Sequence, residues 1–184
     1  MSSALVTGAS SGIGREIART LAPMVDSLII SGRREEPLRD LEKELIGVVD
    51  VKVVIADLST ESGVDFLIEE AGELDILVNN AGYGLYGRVA DQDPDKLLGI
   101  VDVNIRALTK LGHHHSTSMR MRGKGKILNV ASIAAFQPGP GLAVYCASKA
   151  YVLSLSRAMS AELKGSGVTV LSLIHISEPT RLES

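Results

Sequence analysis

The stretch ALVTGASSGIGREIARTL, Ala4 to Leu21, decides how this chain is read. Ala4–Val6 is a short apolar run that reads as a strand, and Ile13–Leu21 reads as a helix. Between them stands TGASSGIG, Thr7 to Gly14, with glycines at 8, 12 and 14. A turn from strand to helix needs glycine where the backbone bends tightly, or where it meets a ligand phosphate without a Cβ in the way. The helix that follows aims free N–H groups at such a phosphate. Glycine spacing alone would fit a plain turn. Its place after the first strand and at the mouth of a helix favours nucleotide binding.

Outward from that turn the pattern repeats. Ser27–Ile30, Val51–Ile55, Ile76–Val78, Lys126–Val130 and Val168–Leu171 are further apolar runs. They are nearly continuous in Val, Ile and Leu, as strands covered on both faces must be. Helices are expected over 35–45, 61–71, 94–122 and 144–164, and Ser59 and Thr60 offer a cap ahead of Glu61. Alternating strands and helices imply βαβ units with right-handed crossovers. The expected fold class is α/β: a Rossmann-type doubly wound parallel sheet with helices on both faces. No repeat or low-complexity linker divides the chain, and its 184 residues suit one domain.

Composition narrows the function classes. The net charge is -3 and the basic residues are scattered, so nucleic acid is not an expected partner. No apolar run is long enough to span a bilayer, so no membrane role is expected. The first residues lack a secretory pattern. A single cysteine, Cys146, excludes an internal disulfide and makes a reducing compartment the default. Cytoplasm is the expected location. Aromatic residues make up only 3%, so the core must be aliphatic.

The second informative stretch is AVYCASKAYV, Ala143 to Val152. Tyr145 and Lys149 stand at i and i+4, on one face of the expected helix. A free tyrosine has a pKa near ~10, too high for ready proton exchange at neutral pH. A nearby ammonium favours the phenolate. The spacing lets one cation tune one phenol. Taken alone, the pair favours that function over a half-buried aromatic beside a solvated lysine, though i, i+4 pairs are common.

The glycine spacing GxxxGxG, preceded by Thr7, resembles the first turn of the short-chain dehydrogenase/reductase family. Five further motifs follow in that family's order: Asp57 in IADLS, NNAG at Asn79 to Gly82, Asn104 in DVNIRA, Ser132 in NVASIAA, and the Tyr145/Lys149 pair. Each has a bland reading by itself, as a cap, a turn former or a helix-face polar residue. Their joint order is what carries the resemblance, which is specific for the family and not for the substrate.

The resemblance implies an oxidoreductase that moves a hydride between a nicotinamide cofactor and a small-molecule carbonyl or alcohol. It implies Tyr145 as general acid and base, Lys149 on the nicotinamide ribose, Ser132 on the substrate oxygen, and Asn104 placing a water behind Lys149. It implies cofactor contacts at Gly8, Ser10, Ser11, Gly12, Ile13, Gly14, Arg33, Asp57, Leu58, Asn80, Ala81 and Gly82, with Tyr145 and Lys149. A homo-oligomer is also implied. Rival readings are a non-catalytic dinucleotide-binding protein on the same fold, and an epimerase or dehydratase that uses NAD transiently. An enoyl reductase is disfavoured, because that branch spaces its tyrosine and lysine more widely.

The second strand ends in LIISGRREE. NAD-preferring relatives usually carry an acidic residue there, for the ribose 2′-hydroxyl. Here Arg33 and Arg34 follow Ser31–Gly32, and a guanidinium suits a 2′-phosphate. Ser11 stands where many NADP-preferring relatives have a basic residue. NADP is the expected cofactor, with NAD possible. No metal is expected: His113, His114 and His115 are consecutive, so they point in different directions and are expected to face solvent or a partner subunit.

The end of the chain departs from the family pattern. No Pro-Gly turn follows the sixth apolar run. Residues 171 to 181, LSLIHISEPTR, equal the translation of a transposase-type adapter used in DNA sequencing libraries. The expectation is therefore a dinucleotide-binding domain over 1–170 and an artefactual tail over 171–184. The family's final strand and helix would be missing, and Ile174 and Ile176 could extend the sixth strand.

Overall fold

In the computed structural model, which describes residues 2–174, the six apolar runs pair into one parallel sheet. The strands are β1 (Ser3–Thr7), β2 (Ser27–Gly32), β3 (Asp50–Ile55), β4 (Ile76–Asn79), β5 (Gly125–Val130) and β6 (Val168–Leu173). Their spatial order is β3-β2-β1-β4-β5-β6. The chain winds outward from β1 to β3, then crosses back to β4 and winds the other way. The direction reverses between β1 and β4, and a crevice opens beyond the carboxyl ends of strands at such a point.

Helices cover both faces: α1 (Gly12–Leu21), α2 (Glu35–Leu45), α3 (Glu61–Ala71), α4 (Pro94–Val101), α5 (Leu108–Arg122) and α6 (Ala143–Glu162). The period of two along each strand sorts the core into layers. Ala4, Val6, Leu28, Ile30 and Val78 pack with Ala18, Leu38 and Leu41 of α1 and α2. Leu5, Ile29 and Leu77 face the other way, onto Leu67 of α3 and Leu111 and Met119 of α5. A third, smaller cluster seats Val152 and Leu153 of α6 against Leu108 and Ala131. Each fully buried leucine or isoleucine contributes about 1.5–3 kcal/mol by leaving water. The caps are local. Thr60 Oγ1 accepts from Gly63 N–H at 3.0 Å to start α3, and Asp93 accepts from Asp95 N–H at 2.9 Å to start α4.

Two expectations need correction. The sequence predicts one regular helix over 94–122, whereas Asp102–Ala107 forms a π-helical turn between α4 and α5. No glycine or proline marks it. It coincides with Asn104, which is fully buried and bonded to distant groups, so a tertiary demand sets the local winding. The second concerns the reach of the sixth strand: the apolar run ends at Leu171, with an extension to Ile174 and Ile176 left open, and the strand stops short of Ile174. Pairing continues through Ser172 with Asn129 and Leu173 with Val130, and Ala131 N–H donates to Leu173 O at 2.8 Å. Ile176 and the rest of the suspected tail beyond Ile174 lie outside the described residues.

Candidate functional site

Thr7 ties the glycine turn to the crevice. Its buried hydroxyl donates to Val78 O at 3.2 Å and accepts from the N–H groups of Asn80 and Ala81, each at 3.0 Å. Asn80 Nδ2 returns bonds to Thr7 O at 2.9 Å and Gly8 O at 3.2 Å. The ends of β1 and β4 are thereby locked together. The three glycines then do different work. Gly8 has φ +67, and a Cβ there would come within 2.8 Å of Ala81 Cα. Gly14 lets α1 close on the turn, since a Cβ there would run into Asn80 Nδ2 and Gly8 O. Gly12, at φ +56, faces open space.

That open space is one cavity of about 990 Å³ along the carboxyl ends of the strands. Of the residues the sequence nominates, Gly8, Ser10, Ser11, Gly12, Ile13, Arg33, Asp57, Leu58, Asn80, Ala81, Gly82, Tyr145 and Lys149 line it. Gly14, Asn104 and Ser132 do not. At the glycine end, α1 starts at Ser11 in extended conformation with no side-chain cap, unlike α3 and α4. Ser11 Oγ is instead engaged by Arg34, whose Nη2 donates to it at 2.8 Å and to Ser10 Oγ at 3.2 Å. Free helix amides, a Cβ-free backbone and two guanidiniums suit a phosphate-bearing group.

Further along, the Asp57 carboxylate accepts from Ser59 N–H at 3.0 Å and Ser59 Oγ at 2.8 Å. Burial pushes its pKa up, but those two bonds and the nearby Arg33 charge outweigh it, so the group stays below the usual carboxylate range.

At the other end, α6 brings Tyr145 and Lys149 to one face. Lys149 is buried, and its ammonium donates to Val130 O at 2.8 Å. Burial lowers its pKa to about 8. Its Nζ lies over the Tyr145 ring. Gly84 flanks that ring, and a Cβ there would sit 2.9 Å from Tyr145 Cγ. Asn104 is fully occupied: Oδ1 accepts from Tyr83 N–H at 3.1 Å, while Nδ2 donates to Tyr83 O at 3.0 Å and Ser148 Oγ at 2.9 Å. It clasps the 82–84 loop to α6 and makes no direct bond to Lys149. Ser132 caps the turn after β5, its Oγ accepting from Ala134 N–H at 3.2 Å. The hydroxyl proton is free to donate elsewhere.

Sequence reasoning missed several lining or positioning groups. Thr7 carried a signal, as the residue leading the glycine turn. Arg34 was visible only as one of two adjacent arginines. Tyr83, Tyr86 and Leu142 carried none, since loop residues become neighbours of Tyr145 only in the fold. The histidine expectation is corrected at His115, which is buried inside α5 rather than facing solvent or a partner. Burial, with the charges of His114 and Arg122, lowers its pKa to about 4. Among the described residues, no helix is long and apolar enough to cross a membrane.

Comparison with known proteins agrees with this geometry. Residues 2–175 match the short chain dehydrogenase family. Sulfoacetaldehyde reductase 2 of Chromohalobacter salexigens is 39% identical over 172 residues, covering 90% of this chain and 68% of that protein. A 3-oxoacyl-(acyl-carrier-protein) reductase of Rickettsia prowazekii is 38% identical over 169 residues, with the same two coverages. The bulky-bulky ketone specific alcohol dehydrogenase from Comamonas testosteroni superposes with a TM-score of 0.91 at 31% identity, covering 100% of this chain and 76% of that one. A short-chain dehydrogenase from Sphingobium yanoikuyae, solved with NADPH, gives 0.90 at 31% identity, with coverages of 97% and 72%. Motif order, sheet topology, family match and relatives coincide, and the chain belongs to the short-chain dehydrogenases, NAD(P)-dependent oxidoreductases built on the Rossmann fold.

Proposed function

We propose that this chain reduces the carbonyl of a small molecule with NADPH, or runs the reverse oxidation with NADP, using Tyr145 to give and take the proton. The observation that carries this is the single cavity with Arg33 and Arg34 at one end and Tyr145 and Lys149 at the other. The bound cofactor supplies or accepts the hydride at the substrate carbon. The N–H groups from Gly8 to Ile13 suit the pyrophosphate, and Gly14 serves by letting α1 approach them. Arg34, braced on Ser10 and Ser11, brings a cation to the place where Ser11 itself has none, which supports a 2′-phosphate and hence NADP over NAD. Asp57 and Leu58 suit the adenine. Asn80, Ala81 and Gly82 suit the span between the riboses.

During reduction the Tyr145 hydroxyl gives its proton to the carbonyl oxygen as hydride reaches the carbon, leaving a phenolate. The Lys149 ammonium stabilises that phenolate. Ser132 does not itself line the cavity, but it follows directly on Ala131, which does, and its free hydroxyl proton is assigned to the same substrate oxygen. Asn104 acts as a positioning residue, since it fixes the loop against α6 and does not reach the cavity. Every residue in this scheme lies within 1–170, which supports taking that span as the dinucleotide-binding unit, although β6 of its sheet runs on to Leu173.

The test is NADPH oxidation by the purified chain against a panel of aldehydes and ketones, with Tyr145→Phe as control. We expect loss of turnover by about a hundredfold to ten-thousandfold, with NADPH affinity retained. Unchanged turnover in the variant would leave a dinucleotide-binding protein without this chemistry.

A further inference from the structure

The sheet order separates the charged part of the cavity from its reactive part. Arg33, Arg34 and Asp57 lie beyond the ends of β2 and β3, whereas Lys149 is anchored on Val130 at the end of β5. Adjacent strands stand ~4.8 Å apart, so the three steps from β2 to β5 put about 14 Å, and the four from β3 about 19 Å, between those strand ends.

At the Tyr145 end the lining includes Gly84, Tyr86, Val130, Ala131 and Leu142. Lys149 is the one charged side chain there among the described residues, and its ammonium already has a carbonyl partner. Tyr86 is unusual in this wall, because its residue is 73% exposed although the ring sits at the cavity mouth. It is also held in place. Gly87 N–H donates to Gly141 O at 2.8 Å, joining the loop after β4 to the loop before α6. Gly141 has φ +81, and a Cβ there would come within 2.8 Å of Tyr86 Cε2. The ring therefore rests on bare backbone. The same short loop sets Gly84 against the ring of Tyr145. One loop thus fixes two phenol rings, one reactive and one open to solvent.

We propose that Tyr86 is a specificity-determining residue, and that the substrate is an uncharged carbonyl compound whose ring or bulky apolar group packs on it. This rests on the carbonyl-reductase reading above. A carboxylate, sulfonate or phosphate beside the carbonyl would lose water without gaining a free counter-ion among the described residues of this wall. An aryl group would gain contact with an aromatic face that is now exposed.

Steady-state reduction by the full chain with NADPH compares benzaldehyde, propanal and glyoxylate. Benzaldehyde should have the highest kcat/KM and glyoxylate the lowest. Tyr86→Ala should raise KM for benzaldehyde roughly three- to tenfold more than KM for propanal, and Tyr86→Phe should restore the wild-type pattern. Preference for glyoxylate, or equal KM changes for benzaldehyde and propanal, would overturn the proposal. If no carbonyl is turned over, the reductase reading fails. Tyr86 is then judged by saturation-transfer NMR of benzyl alcohol with NADP present: signal lost in Tyr86→Ala and kept in Tyr86→Phe supports it, and equal signals in all three proteins refute it.

Discussion

The Lys149 ammonium stands 5.8 Å from the centre of the Tyr145 ring, and it is buried there. One helical turn sets the spacing. The end of β5 sets the height, because Val130 O accepts a hydrogen bond from the ammonium. Burial of that charge is costly, and the cost shows as a pKa of about 8.

Replacing Lys149 should therefore stabilise the fold while removing activity. The folded pKa lies below the unfolded one, so the unfolded chain holds the extra proton between about pH 8 and the ordinary lysine value. The penalty is fully present below pH 8 and fades as the pH climbs through that window. Lys149→Met should gain about 1–3 kcal/mol in urea unfolding at pH 7, after allowing for the lost bond to Val130, and much less near pH 10. A loss of stability at pH 7 would contradict this.

Arg34 should separate the two nicotinamide cofactors. Losing a charge-assisted partner for a phosphate costs about 1.5–3 kcal/mol. Arg34→Ala should raise KM for NADPH roughly ten- to a hundredfold and leave KM for NADH within about threefold. Parallel changes for both cofactors would remove the 2′-phosphate assignment.

His115 should govern part of the acid limb of stability. Its folded pKa of about 4 lies below the unfolded value of 6.5. The unfolded chain binds the proton first, so stability is present above pH 6.5 and falls as the pH drops towards 4, by up to roughly 3 kcal/mol. His115→Leu should flatten that slope by about one proton, read from urea midpoints at several pH values. Identical slopes in both proteins would show that His115 is not the group responsible.

Two glycines of one turn should fail in different ways. Gly14→Ala forces a Cβ into Asn80 and the Gly8 carbonyl, so it should cost about 1–3 kcal/mol or more of folding stability. Gly12→Ala meets no atom and strains only its φ of +56, costing about 1 kcal/mol. Its larger effect should fall on NADPH affinity, measured by titration. A Gly12 variant that binds NADPH normally would move the phosphate away from this turn.

The strand and helix order was legible in the chain because it is local. Apolar runs such as Leu28–Ile30 and Ile76–Val78 declare buried strands, and Thr7 to Gly14 declares a strand-to-helix turn whatever surrounds it. The boundaries of α2 and α3 agree with the observed ones for the same reason. The π-helical turn at Asn104 was not legible, since DVNIRA winds normally by its own preferences. The burial of His115 was equally hidden, because a run of three histidines says nothing about which one the fold will bury.

What the amino-acid order settled by itself was periodicity: which faces are apolar, where glycine relieves the backbone, and that Tyr145 and Lys149 share a helix face. Only the tertiary structure decided that β4 inserts beside β1, so that Thr7 meets Asn80 and Ala81 across more than seventy residues of chain. Only that pairing order strings Arg34, Tyr145 and Tyr86 along one cavity. The physical reason is that periodicity reflects the geometry of one segment, whereas strand order follows from how all the layers bury their apolar faces together.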